Sequence, residues 1–184
     1  PFSAAEQGLG YIFQPRFALL KILELSESSA VFLEKEDDVE FVTESGIRSL
    51  GSLKHKAGGD KLTNLSTDFW KSVRIWLAYY RKTGGIASNG RFLLFSTAEL
   101  SESTFLSLFT ESAAGDDDRV EQARAVLATS TSALIGEIRE ELEQLTEDEL
   151  NDFYSRITII DATPRITDLP ALRASRLSCS NRVE

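Results

Sequence analysis

Sulfur and imidazole are scarce in this chain of 184 residues, which has one cysteine, Cys179, one histidine, His55, and no methionine. A lone cysteine excludes an internal disulfide framework and a multi-cysteine zinc site. A Ser–His–Asp triad would have to be built on His55, set between Lys54 and Lys56, and no G-x-S-x-G stretch accompanies it. Phosphate-cradling loops are missing too. Gly58-Gly59 and Gly84-Gly85 lack the G-x(4)-G-K-[ST] spacing, and nothing matches G-x-G-x-x-G. No apolar run approaches the ~20 residues of a membrane span and no signal peptide is visible, so a cytoplasmic compartment with no membrane partner is expected. With Pro1 at the start and SCSNRVE at the end, the chain reads as one piece of a longer protein.

Basic charge is scarce overall but not evenly so. The net charge of −9 argues against a nucleic-acid partner. Residues 51–92, however, carry eight basic side chains against two acidic ones, Asp60 and Asp68. Such an island is either a local footprint for phosphate or a helix with a solvated basic face.

Hydrophobic residues make up 42% of the chain, the level of an ordinary globular protein long enough to bury a core without staples. Apolar spacing predicts a buried helix over 11–25, with Pro15 tolerable only in its first turn. AVFL (Ala30–Leu33) and VEFV (Val39–Val42) read as strands, Glu44-Ser45-Gly46 as a turn, and 47–54 as the returning strand. Ser66 or Thr67 caps a helix that Gly84-Gly85 stops, with Trp70 and Trp76 on its core face. FLLF (Phe92–Phe95) has the length and composition of a central buried strand. Residues 118–145 read as one helix weakened at Gly136, and Thr146 to Glu149 forms a capping box for the next. ITII (Ile157–Ile160) reads as a strand, and a last helix, capped by Thr167 or Asp168 with Pro170 in its first turn, is expected to run to Arg176. The pattern is that of an α/β layer with a helical appendage. It divides into a core over 1–100 and a mainly helical extension with one short strand over 101–184.

The chemistry left open is that of carboxylates, a lysine and a hard cation. The stretch 34–56 opens with Glu34, Glu36, Asp37 and Asp38 and closes with Lys54, His55 and Lys56. Mg²⁺ prefers carboxylate oxygens, neutralises a scissile phosphate and acidifies a bound water, while a lysine offsets transition-state charge. Asp38, where VEFV begins, and Lys54, ending the returning strand, are placed to converge. Side chains alternate along a strand, so position 52 shares the face of Lys54 and is where a metal-ligating Glu or Gln is expected; it is Ser52. On residue chemistry alone, a charged surface hairpin accounts for this stretch equally well.

Five segments, taken in order, carry a resemblance. They are G-Y-I-F-Q-x-x-x-A-L-L (10–20), F-L-E-K-E-D-D-V-E-F (32–41), S-L-K-H-K (52–56), L-T-x-x-S-x-D-F-W-K-S-V-R-I-W (62–76) and F-L-L-F-S-T-A (92–98). Together they resemble the Cap4-type double-stranded-DNA endonuclease domain of the restriction-endonuclease-like, PD-(D/E)xK superfamily. The closer likeness is to the N-terminal region of effector subunits in ABC-three-component, Lamassu-type antiphage systems. The stretch 152–168 is similar to the region that follows in those proteins. The resemblance implies a restriction-endonuclease-like core of helix, three-strand meander, helix and strand. It implies a bacterial nuclease dependent on Mg²⁺ or Mn²⁺, cutting duplex DNA and held silent until partners activate it. Those partners would be an SMC/ABC-type ATPase subunit and a small accessory subunit, with self-association on activation. Matched by position, Glu34 and Asp38 are the acidic motif, Asp37 a neighbouring alternative, Lys54 the catalytic lysine and Gln14 the glutamine of the first helix. The metal set is then Glu34, Asp38 and Ser52, with Lys56, Lys61, Lys71 and Arg74 lining a DNA groove. The family usually has Gln where this chain has Ser52, so the competing expectation is a catalytically weakened or inactive module that serves as an interaction or scaffold domain for the ATPase.

Overall fold

The computed structural model describes residues 4–113 and 118–169. Its elements run α1 (Ala4–Ile22), β1 (Ala30–Leu33), β2 (Val39–Val42), β3 (Arg48–Lys54), β4 (Lys61–Leu62), α2 (Thr67–Lys82), β5 (Arg91–Ser96), β6 (Glu99–Leu100), α3 (Arg119–Ala128), α4 (Ala133–Leu142), α5 (Glu147–Ser155) and β7 (Ile157–Ile160). Five strands form one mixed sheet in the order β1-β2-β3-β5-β7, making this an α/β protein. The first three make an antiparallel meander joined by short turns, and Gly46, at φ 78°, supplies the left-handed residue of the second. β3, β5 and β7 are parallel, so α2 and then α3–α5 serve as their crossovers.

Alternation along the strands decides which side chains meet which layer. Val39, Phe41, Leu53 and Phe95 pack with Phe13, Phe17, Ala18 and Leu20 of α1 on one face. Leu50, Phe92 and Leu94 pack with Phe69, Trp70, Val73, Trp76 and Leu77 of α2 on the other. That second cluster continues into Leu127, Ile138, Leu150, Phe153 and Ile157, so residues before and after position 100 share one core. β7 is likewise the fifth strand of the sheet. Both tryptophans are fully buried, as their helical spacing implies. β5 is central, with β3 and β7 on either side, as FLLF predicts.

Three expectations need correction. α1 begins at Ala4, so Pro15 lies inside it rather than in its first turn. An interior proline costs about 3 kcal/mol; here it sits on the exposed side, while Phe13 and Phe17 are buried against the sheet. The helix expected over 118–145 is two helices, and the break falls at 129–132 rather than at Gly136. Thr129 Oγ1 donates to the Val126 carbonyl at 2.7 Å and Ser132 N–H to Ser130 Oγ at 3.2 Å, local bonds that compete with a continuous helix. Ser66 is the N-cap residue of α2, but its hydroxyl accepts from the Thr63 amide rather than from α2. The capping box at Thr146 and Glu149 forms as read. The helix expected to reach Arg176 lies outside the described residues, apart from its start, where the Asp168 carboxylate accepts from the Arg165 amide at 3.0 Å.

Gly51 explains the weak apolar content of β3. A Cβ there would lie 2.7 Å from Val39 Cγ1 and 3.1 Å from the Phe95 ring. Gly51→Ala is therefore expected to destabilise the fold by about 1–3 kcal/mol through overpacking, read as a lower urea midpoint at unchanged slope.

Candidate functional site

The site sits where β2 starts and β3 ends. Asp38 directly precedes β2, and the register Val39↔Gly51 places it opposite Ser52. Its Oδ1 accepts from Gln14 Nε2 of α1 at 2.9 Å. Its Oδ2 accepts from the Leu53 amide at 2.6 Å and lies 3.4 Å from Lys54 Nζ and 3.5 Å from Ser52 Oγ. Gln14, Asp38, Ser52 and Lys54 are thus brought together, and the shared face of positions 52 and 54 is as the strand period requires. Asp38 and Lys54 are about a fifth exposed (21% and 23%), sheltered yet open to a ligand.

Through its side chain, Glu34 bonds to none of these groups among the described residues. It closes the β1–β2 turn at φ 52°, its amide donating to the Asp38 carbonyl at 3.2 Å. Its side chain is exposed and makes no hydrogen bond or ion pair among the described residues. Nor is Ser52 open: it is fully buried, with the Ser72 hydroxyl 2.8 Å from its Oγ. The other two acids of the cluster go to α2. Glu36 pairs with Lys82 at 3.1 Å, and Asp37 Oδ2 accepts from the Trp76 indole at 2.7 Å. Asp37 Oδ1 accepts from the Asp38 amide at 2.9 Å, so Asp37 holds the backbone that carries Asp38. Burial raises the Asp37 carboxyl above the usual carboxylate range, opposed by the Asp38 amide and the Trp76 indole. The sequence offered Asp37 as a neighbouring alternative in the acidic motif and did not reach Trp76 as its polar partner. The available signal was that a buried indole N–H needs an acceptor.

The basic island is largely paired within the chain. Lys56 meets Asp68 at 2.6 Å, Lys61 meets Glu99, and Arg74 meets Glu137 at 3.5 Å. Lys71 is exposed and makes no ion pair among the described residues. The Lys61 and Arg74 pairs are solvent-exposed and therefore weak, so both side chains can exchange to a phosphate.

His55 turns away from this group. Its ring centroid lies 5.1 Å from that of Phe13, and Nε2 is buried without a hydrogen-bond partner among the described residues. Burial, then the Arg165 charge, lowers its pKa below the ordinary value. The native state thus resists the proton that unfolded His55 accepts near pH 6.5. Its contribution is full above that pH and is lost as pH falls through the lowered value. With one histidine in the chain, the unfolding midpoint of the wild type is expected to fall relative to His55→Gln as pH drops below about 6.5.

A hard divalent cation is commonly held through one or two carboxylates plus substrate phosphate, with waters completing its shell. Asp38, partly exposed where β2 starts and beside Lys54, suits that mode. Among the described residues no three Asp, Glu, His or Cys side chains converge as an all-protein cage. No helix among those residues is long and apolar enough to cross a membrane. No protein-family model matches this chain, and no curated protein matches it.

Proposed function

We propose that this chain is a metal-dependent endonuclease domain acting on duplex DNA, of the restriction-endonuclease-like kind that its motifs resemble. The observation that carries the reading is the convergence of Gln14, Lys54 and the Leu53 amide on the Asp38 carboxylate. Support also comes from the element order helix, three-strand meander, helix, strand. Hydrolysis joins the oxygen of water to phosphorus as the bond to one sugar oxygen breaks, and that oxygen leaves with a proton. Bound Mg²⁺ or Mn²⁺ would neutralise the scissile phosphate and lower the pKa of a water. Asp38 would hold the ion, while Gln14 and the Leu53 amide fix the carboxylate so that it needs no reorganisation. Lys54 would place a positive charge against the phosphoryl oxygens. Lys71, with Lys61 and Arg74 released from their exposed partners, would bear on the DNA backbone. Duplex cleavage requires two cuts, which favours self-association, and an SMC/ABC-type ATPase with a small accessory subunit remains the expected regulator.

The test is cleavage of supercoiled plasmid by the full-length, activated protein with and without Mg²⁺. Cation-dependent nicking or linearisation supports the reading, and none under any activating condition rejects it. The competing reading, a silent module docking the ATPase, draws on Ser52, which supplies no carboxylate and is buried against Ser72. On that reading Ser52→Gln creates activity that the wild type lacks.

A further inference from the structure

Two successive lysines leave the end of β3 and each meets an acid: Lys54 with Asp38 at 3.4 Å and Lys56 with Asp68 at 2.6 Å. Asp68 stands in the first turn of α2, and all four side chains are alike in exposure, between 21% and 27%. Between the two pairs lies a buried polar bridge. Ser52 Oγ is 3.5 Å from Asp38 Oδ2, and the Ser72 hydroxyl is 2.8 Å from Ser52 Oγ and 3.0 Å from the Asp68 carbonyl. Ser72 follows Asp68 by one helical turn, so both face β3. Ser52 and Ser72 are wholly buried, a polar contact set among the apolar side chains that pack α2 on the sheet. The strand position that should carry the second acid thus carries a hydroxyl hydrogen-bonded to α2, the helix whose first turn holds Asp68.

We propose that Asp68 is the second metal-holding acid of the site, supplied from α2 in place of a carboxylate at position 52, with Lys56 neutralising it until the ion binds. This inference rests on the nuclease reading and assigns that site a residue from outside the 34–56 stretch. A lone Asp38 leaves the ion on one protein carboxylate, whereas Asp38 with Asp68 gives the two that a substrate-assisted Mg²⁺ or Mn²⁺ site uses. Lys56 then competes with the ion for Asp68, which a merely structural ion pair does not do.

Mn²⁺ titration of the chain, followed by calorimetry and by the loss of the free-ion paramagnetic signal, tests this without DNA or turnover. Asp68→Asn is expected to weaken Mn²⁺ binding at least about tenfold, as Asp38→Asn does. Lys56→Ala is expected to tighten it by removing the competing cation. Ser52→Glu in the Asp68→Asn background should restore binding, and the Lys56→Ala result stands if that buried substitution fails to fold. Wild-type binding by Asp68→Asn, or unchanged binding by Lys56→Ala, overturns the proposal. The nuclease reading survives that result as long as Asp38→Asn still loses the ion. A wild type that binds no Mn²⁺ overturns both.

Discussion

Lys54→Ala and Asp38→Asn are each expected to lower plasmid cleavage by about 10²–10³-fold, the usual loss when one preorganised electrostatic group is removed from a reacting phosphate or carbonyl. The two changes act differently. Lys54→Ala removes the positive charge that would meet the phosphoryl oxygens, while Asp38 keeps its bonds to the Leu53 amide and Gln14. The Lys54–Asp38 pair is partly exposed, so its loss should cost the fold no more than about 1 kcal/mol. Asp38→Asn keeps the shape and an oxygen acceptor while removing the negative charge, so excess Mn²⁺ should recover little. Gln14→Ala, acting only through the orientation of Asp38, should lose less than either. Cleavage by all three variants at the wild-type rate, with folding verified, would place catalysis elsewhere.

Trp76→Ala is expected to cost about 3–5 kcal/mol, the largest stability effect of any single change considered, read as a fall in the urea midpoint. The indole is fully buried, stacks on Phe92 with ring centroids 5.7 Å apart, and belongs to the cluster that joins residues before and after position 100. Its N–H also donates to Asp37. Trp76→Phe keeps most of the apolar contact and removes that donor, leaving a buried carboxylate oxygen short of a partner at about 1–3 kcal/mol. Because Asp37 in turn accepts the Asp38 amide, Trp76→Phe should reduce cleavage as well as stability. Unchanged activity in Trp76→Phe would show that the Asp37 buttress does not reach the site.

Much of the scaffold was readable because its signals are local. β1 and β2 fall at the expected residues, and β5 and β7 at or within one residue of them. Short β-branched or aromatic runs bounded by turn residues have few alternatives. The Thr146 capping box formed as read because all its atoms lie within four residues. Pro15 was misplaced for the opposite reason. Its tolerance depends on which side of α1 the sheet covers and on residues upstream that show little periodicity. The 129–132 break was missed because helix propensity weighed Gly136 above a run of hydroxyl side chains that bond their own backbone.

In the site, the pairing of Asp38 with Lys54 followed from two adjacent strands and a period of two, which pattern alone specifies. Pattern could not rank the four acids of the 34–38 cluster, since consecutive residues in a turn follow no such period. Packing divides them: Glu34 to solvent, Glu36 to Lys82, Asp37 to the Trp76 indole, Asp38 to Gln14 and Lys54. Nor could it reveal that α2 lies on β3 with Ser72 against Ser52, which sets the first turn of that helix, with Asp68, beside the end of the strand. Composition and periodicity therefore determined the class of fold, the core faces and the one lysine–acid pair, all of which rest on interactions between near neighbours. Which remaining acids stand by that pair was decided by how the helices lie on the sheet, a matter of shape and burial summed over the whole chain.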